Sequence, residues 1–329
     1  MLRAHDIKNA ARRVGFDLCG ISRVRNFSAE RDFFAKWLSR GYASGLGYLY
    51  RNVEKRFSPT LLTPGAVSVI SCAVNYKNDT SLGFGDCHNP KVASYARTAD
   101  YHDTIKRMLR HMAVIIGGEA KGGSGGGQIK WRAFTDSAPV LEKMWAVEGG
   151  LGFIGRNKLL ITPGYGSFVL LGELMIDAAV DVYDTPYQGP GCGKCRRCVD
   201  ACPNRALTPH GIDTGLCISR ATIEKLPPGN ASGTHPVVDS DMSKDFSYIA
   251  PSIPLHGWIY GCDVCQHTCP YNARTPFYSN PDFAPLFDPR TMPRERWLEM
   301  TGEEFSERLG NTPMGHTGLK QIRLSLDKL

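Results

Sequence analysis

Apolar residues recur at helical spacing over residues 5–14, where Ile7, Ala10, Ala11 and Val14 share one face. The run 17–21 that follows reads as a short strand. Ser28 is placed to cap a helix reaching about Ser39, with Phe33, Phe34 and Trp37 turned to the core. Residues 67–74 are rich in β-branched side chains and predict a strand buried on both faces. Helices are expected over 102–116 and 139–148, the second opened by Pro139 in its first turn. Strands follow over 159–161 and 168–176, around the turn Pro163-Gly164-Tyr165-Gly166. The glycine-rich run 117–127 between them can hardly hold a fixed fold. Strands and helices in alternation predict an α+β (mixed α/β) domain over residues 1–184, with a strand order that the pattern does not reveal.

From about Thr185 the texture changes to Gly, Pro and Cys with few long periodic runs, which marks a second module over 185–275. Within it, residues 227–254 are polar and rich in Pro, Ser, Asp and Gly, a surface excursion. A short helical tail, 276–329, follows, with helices expected over 294–309 and 318–327. The longest apolar stretch, 168–180, is interrupted by Glu173 and Asp177 and falls short of the roughly 20 residues that cross a bilayer, so no membrane partner is expected. The N-terminal residues lack the apolar core of a signal peptide, from which a cytoplasmic, monomeric protein is expected. The net charge of +7 suits an ordinary basic enzyme as well as one that meets a polyanion such as RNA, so charge does not choose between them.

Cysteine usage changes the picture. In a compartment that keeps thiols reduced, the chain's 11 cysteines are not expected to pair as disulfides. Cys192-x-x-Cys195-x-x-Cys198-x-x-x-Cys202-Pro203 is the bacterial ferredoxin run. Its two-residue gaps let three thiolates cap one cubane from a single tight turn, while the fourth cysteine is carried off to a second cluster. Cys262-x-x-Cys265-x-x-x-Cys269-Pro270, with Cys217 upstream, supplies the complement. The crossing rule assigns Cys192, Cys195, Cys198 and Cys269 to one 4Fe–4S cluster, and Cys202, Cys217, Cys262 and Cys265 to the other. Structural zinc also uses C-x-x-C, but the proline after each last cysteine and the two interlocked sets of four favour iron–sulfur clusters. Cys19 and Cys72, in strand patterns, read as small core residues, and Cys87 as a bystander. A ferredoxin-type carrier needs only a fraction of this chain, so the N-terminal half is expected to house what receives the electrons. No G-x-G-x-x-G follows a strand and opens a helix, which leaves a Rossmann-bound nucleotide unsupported.

Ordered motifs run along most of the chain: Glu54-Lys55-Arg56, Leu62-Thr63-Pro64-Gly65-Ala66, Asp100-Tyr101-His102, Phe134-Thr135-Asp136-Ser137-Ala138-Pro139 and Gly150-Leu151-Gly152-Phe153-Ile154-Gly155-Arg156-Asn157. In the cysteine module they include Cys217-Ile218-Ser219 and Tyr260-Gly261-Cys262-Asp263-Val264-Cys265-Gln266. Together they resemble the epoxyqueuosine reductase family, the cobalamin-dependent iron–sulfur enzymes of tRNA queuosine synthesis. The resemblance implies a cobalamin-binding N-terminal domain followed by a ferredoxin-like double-cluster module. It also implies two-electron reduction of the epoxide of epoxyqueuosine, in a tRNA anticodon, to the alkene of queuosine. Clusters pass electrons singly, so Co(I) cobalamin beside them would serve as the two-electron nucleophile.

By the same resemblance, Asp136 protonates the leaving alkoxide, which near neutral pH calls for a pKa raised by an apolar setting such as Phe134, Ala138 and Pro139. Read without the family, Asp136 is an ordinary helix N-cap. Arg56, Asn157, Ser219 and Asp263 are implied as cobalamin contacts alongside Asp136, and no histidine is expected on the cobalt. His102 then reads as a helix-start residue, and Glu142 and Glu173 as structural partners. Lys194, Arg196, Arg197, Arg205 and Lys320 are candidates for tRNA contact, and an electron donor of flavodoxin or ferredoxin type is implied as a second partner. The chain departs from the family pattern in a longer segment between Cys217 and Cys262, and in Gly315-His316-Thr317, where basic residues are commoner. The alternatives are another corrinoid and iron–sulfur reductase, of the reductive dehalogenase kind, or a non-catalytic electron carrier or corrinoid activator.

Overall fold

The structure, a computed structural model, describes residues 1–117, 129–224 and 253–329. Most of the glycine-rich run and nearly all of the 227–254 excursion lie outside the described residues. The strands are β1 (Leu18–Arg23), β2 (Ser68–Asn75), β3 (Lys91–Val92), β4 (Trp131–Phe134), β5 (Phe153–Ile154), β6 (Leu160–Ile161), β7 (Val169–Ile176), β8 (Leu207–Thr208), β9 (Gly211–Ile212) and β10 (Trp258–Tyr260). β1, β2, β7 and β4 form one sheet in that order, every neighbouring pair antiparallel. β2 is buried at all of its positions, as its β-branched content predicts. Its register sets Cys72 opposite Cys19, and both are free thiols within the sheet.

Four helices of the N-terminal half are α1 (Ala4–Arg13), α2 (Ser28–Ser39), α3 (Val53–Phe57) and α4 (Tyr101–Ile115), followed by α5 (Glu142–Glu148). α1 and α4 pack on one face of the sheet, where Ile7, Ile105, Leu109 and Met112 meet Ile21, Ile70 and Leu174. Trp145 of α5 covers the opposite face with Phe27, Val69 and Phe134. On α2 only Trp37 is buried. Phe33, expected in the core, exposes 53% of its surface because α2 lies at the rim, beside the β8–β9 hairpin. The helix expected from Pro139 begins at Glu142 instead, since residues 135–140 fold into tight turns with Ser137 and Val140 donating two residues back. Asp136 is therefore no N-cap. It sits in the left-handed region, at φ 54°, a conformation that costs a non-glycine residue energy.

The cysteine module carries α6 (Arg197–Ala201), α7 (Ile218–Ile223), α8 (Val264–His267) and α9 (Pro270–Ala273). The tail carries α10 (Arg294–Glu299), α11 (Gly302–Leu309), α12 (Pro313–Thr317) and α13 (Leu319–Leu326). The single helix expected over 294–309 is broken at Met300, and Thr301 caps the new start by accepting from the Glu304 amide. Cores are shared among the three expected segments. β3 pairs in parallel with β10 of the cysteine module, and Val92 and Ala96 pack with Ile259, Trp297, Met314 and Ile322. No helix among the described residues is long and apolar enough to cross a membrane.

β1 and the end of α5 approach backbone to backbone: a Cβ on Gly20 would stand 2.0 Å from the Gly149 carbonyl oxygen. Gly20→Ala should therefore push α5 off the sheet and cost about 1–3 kcal/mol, seen as an earlier midpoint in anaerobic urea unfolding.

Candidate functional site

Cys192, Cys195, Cys198 and Cys269 wall one cavity together with Arg156 and Asn157. Cys192 and Cys195 arrive on the turn before α6, Cys198 lies in its first turn, and Cys269 immediately precedes α9. Cys202, Cys217 and Cys262 make a second group, near enough for their charges to interact, and Cys265 joins it. Backbone amides are aimed at sulfur: Arg156 N lies 3.4 Å from Cys192 Sγ, and Ala206 N 3.3 Å from Cys202 Sγ. Burial pushes the Cys262 thiol up to about 12 and lifts Cys265 well above the ordinary thiol range. Iron binding there must displace protons, and the metal's charge supplies the compensation.

The loops that carry Cys262, Cys265 and Cys269 have little regular structure and are held by buried polar contacts. Asn272 Nδ2 donates to Gln266 O at 2.8 Å, and its Oδ1 accepts from Ser167 N at 2.7 Å. Lys77, 2% exposed, donates to the carbonyls of Asn272 and Thr275 at 2.8 and 2.7 Å. Asp263 is 1% exposed, and its two oxygens accept from Ser94 N and Gln266 Nε2. Those two contacts tie the cysteine loop to Ser94 and Gln266. Arg56 and Asn157 differ from Asp263. Arg56 Nε and Asn157 Nδ2 are buried with no hydrogen-bond partner among the described residues. Buried donors left open are costly, and they mark where an acceptor from outside the chain would fit. Ser219 is half-buried in the first turn of α7, where its amide points at Cys217.

Asp136 follows β4 and meets the start of α4. Its Oδ2 accepts from Tyr101 Oη at 2.9 Å and lies 2.9 Å from His102 Nε2. Its negative charge reaches Tyr48, Tyr95, Tyr260 and Glu224, which come from separate parts of the chain. The side chain nonetheless exposes 59% of its surface, so the carboxylate lies on the floor of a wide, open cleft.

The expected raised pKa is not what these neighbours produce. The hydrogen bond from His102 lowers the Asp136 pKa, and desolvation and the Tyr101 bond enter after it, with a net shift below the usual carboxylate range. Burial works against a charge on His102, but hydrogen bonds to Asp100 and Asp136 outweigh it and lift the ring to about 9. The proton of this pair therefore rests on the histidine. Glu142 accepts from the Asp136 amide and so pins the strained residue in place. Burial raises the Glu142 pKa, and Glu173, fully buried behind it, is raised by burial and by the Glu142 carboxyl.

His102 is indeed in the first turn of its helix, and it also belongs to the site, which the spacing did not disclose. The available signal was Asp100-Tyr101-His102: an N-capping aspartate two residues before a histidine puts both side chains at one helix start. Lys194, Arg196, Arg197, Arg205 and Lys320 are all exposed. Arg196 is engaged with Asp200 at 3.5 Å.

Residues 56–137 match the family described as epoxyqueuosine reductase QueG, DUF1730. Residues 191–272 match the 4Fe-4S double cluster binding domain. An epoxyqueuosine reductase of Leadbetterella byssophila is 33% identical over 321 residues, covering 98% of this chain and 96% of the relative. One of Cyclobacterium marinum is 35% identical over 303 residues, covering 92% and 88%. Among solved structures, an epoxyqueuosine reductase with an epoxyqueuosine-modified tRNA-Tyr stem loop superposes with a TM-score of 0.75 at 26% identity, over 98% of this chain and 79% of that one. A Bacillus subtilis epoxyqueuosine reductase, solved with its catalytic aspartate loop swung out of the active site, gives 0.73 at 26% identity, over 98% and 79%. On this agreement of sequence and fold the chain belongs to the epoxyqueuosine reductase family, as an oxidoreductase with a 4Fe–4S double-cluster domain.

Proposed function

We propose that the chain reduces the epoxide of epoxyqueuosine in a tRNA anticodon to the alkene of queuosine, with Asp136 delivering protons to the departing oxygen. One observation carries this reading: an exposed carboxylate in hydrogen-bond contact with a histidine, in a chain whose cysteines gather in two groups. Reduction of an epoxide to an alkene takes two electrons and two protons and releases water. Cys192, Cys195, Cys198 and Cys269 would hold one cluster, and Cys202, Cys217, Cys262 and Cys265 the other, with amide donors to sulfur favouring the reduced state.

The open donors of Arg56 and Asn157 fit the amide-fringed rim of a corrinoid, and Ser219 stands beside the same module. When bound, a corrinoid would supply the two-electron nucleophile that single-electron clusters lack. What the chain itself contributes is orientation and proton delivery. Tyr101 and His102 fix one carboxylate oxygen, Glu142 fixes the Asp136 backbone, and the other carboxylate oxygen is left to face the cleft. Exposed Lys194, Arg197, Arg205 and Lys320 suit a phosphate backbone, so that tRNA affinity should fall with salt. A cytoplasmic location, where tRNA and a flavodoxin- or ferredoxin-like donor are found, goes with this reading.

Four outcomes test it. Anaerobically reconstituted protein should hold about eight irons per chain, and Cys265→Ser should lose about four of them by iron assay. With cobalamin, a low-potential reductant and epoxyqueuosine-bearing tRNA, nucleoside mass spectrometry should show the loss of one oxygen. Asp136→Asn should slow that conversion about 100-fold or more with the iron content unchanged, and unaltered turnover would remove Asp136 from the chemistry. Asn157→Ala should weaken cobalamin retention in equilibrium dialysis by about 1–3 kcal/mol.

A further inference from the structure

Behind Asp136 the hydrogen bonds continue in an unbroken line. His102 Nε2 stands 2.9 Å from Asp136 Oδ2, and His102 Nδ1 stands 2.7 Å from Asp100 Oδ1. The other oxygen of Asp100 is 2.6 Å from Nε2 of His316, on α12 of the tail. Side-chain exposure along the line is 59% at Asp136, 19% at His102, 10% at Asp100 and 64% at His316. Two shielded groups thus join two open ones, from the cleft floor to the outer surface.

We propose that His102, as an imidazolium, is the acid that charges Asp136 for each proton delivery, and that Asp100 and His316 are positioning residues which hold its charge and ring orientation. This rests on the reading of Asp136 as the proton donor. The departing oxygen takes two protons before it leaves as water, and one carboxyl delivers one at a time. In each delivery the His102 Nε2–H bond breaks as the Asp136 Oδ2–H bond forms, the carboxyl turns to bring Oδ2 to the cleft, and the Oδ2–H bond breaks as the substrate O–H bond forms. The neutral ring then regains its proton from solvent.

The geometry favours this division of labour. Asp100 caps α4 through the His102 amide at 2.9 Å, so carboxylate and ring are fixed to the same helix start. Its own amide donates to Asn311 O at 2.8 Å, which ties that start to the tail. The Tyr101 ring stacks on His102 with centroids 4.1 Å apart, and His316 meets it edge-on at 5.3 Å. The other charged groups nearby are otherwise engaged: Lys106 points to Ser137 Oγ at 3.2 Å, and Glu142 takes the Asp136 amide. Two carboxylates flanking one imidazole keep it protonated, and the cationic form of His316 would hold Asp100 ionised. The sequence alone marked His316 only as a departure from the family's basic pattern.

Two measurements separate this inference from the reading it rests on. The first needs neither cobalamin nor substrate. Ring-nitrogen NMR of the cluster-loaded protein should show His102 titrating near 9, against the ordinary 6.5. Asp100→Asn, which keeps the helix cap, should bring that titration down by about one unit or more. His316→Gln should lower it by less. In the second, turnover should fall as pH rises through about 9, because the deprotonated ring has nothing to give. Asp100→Asn should shift this limb downward and cut kcat about 2-fold at pH 8, and more steeply at pH 9, while KM stays put.

A His102 that titrates at its ordinary value in the wild type overturns the inference even if Asp136→Asn is inactive. So does an Asp100→Asn variant with an unmoved limb. The three side chains also offer atoms all within 4.8 Å of one another, as a cation site would. A stoichiometric zinc ion that binds there and quenches the His102 titration, with activity lost to chelator and restored by zinc, would overturn it in favour of a metal.

Discussion

The cysteine loops depend on a buried polar hub, because they have too little helix and strand to hold eight sulfurs in place by themselves. Asn272 is the centre of it. Its side chain grips Ser167 and Gln266, its carbonyl takes the buried Lys77 ammonium, and its Oδ1 would lie 1.9 Å from any Cβ placed on Gly166. Gln266 passes the network on to Asp263 and Tyr76. Its members come from three pieces of chain: the residues just after β2, the turn before β7, and the segment between Cys262 and Thr275. Loss of one partner would leave another buried and unpaired, at about 1–3 kcal/mol each. The network therefore fixes the cysteine loops to the central sheet rather than letting them hang from it.

The same sheet carries the chemistry on its other end. β4 delivers Asp136, β7 supplies Glu173 beneath it, and α4 brings Asp100, Tyr101 and His102 alongside. A left-handed aspartate is held by the Glu142 acceptor on its amide, so part of its strain is offset by that hydrogen bond. An aspartate can serve as an acid in two ways. It can be desolvated until it keeps its own proton, or it can be partnered with a group that keeps the proton for it. The contacts of Asp136 with His102 and Tyr101 put this site in the second class.

Much was legible from the residues. The interlocked cysteine spacings, the buried β2, the amphipathic α1 and α4 and the mixed α/β character all follow from local pattern and chemistry. So does the resemblance that points to Asp136. Two expectations failed, one for a local and one for a tertiary reason. The tail helix broke at Met300 because Thr301 caps a new turn three residues ahead of its partner. α2 turned Phe33 outward because only one stripe of a rim helix is covered. The contact of Asp263 with Ser94, 169 positions away, is likewise one that no local pattern announces.

Spacing and side-chain type determine ligand sets and periodic faces, since those are properties of a few consecutive residues. They do not determine protonation. The charge balance of Asp136 and His102 depends on Asp100, and Asp100 meets His316, 216 positions away, only when the tail folds back over α4. Local sequence thus pointed to the aspartate, and tertiary structure supplied the partners that set its charge.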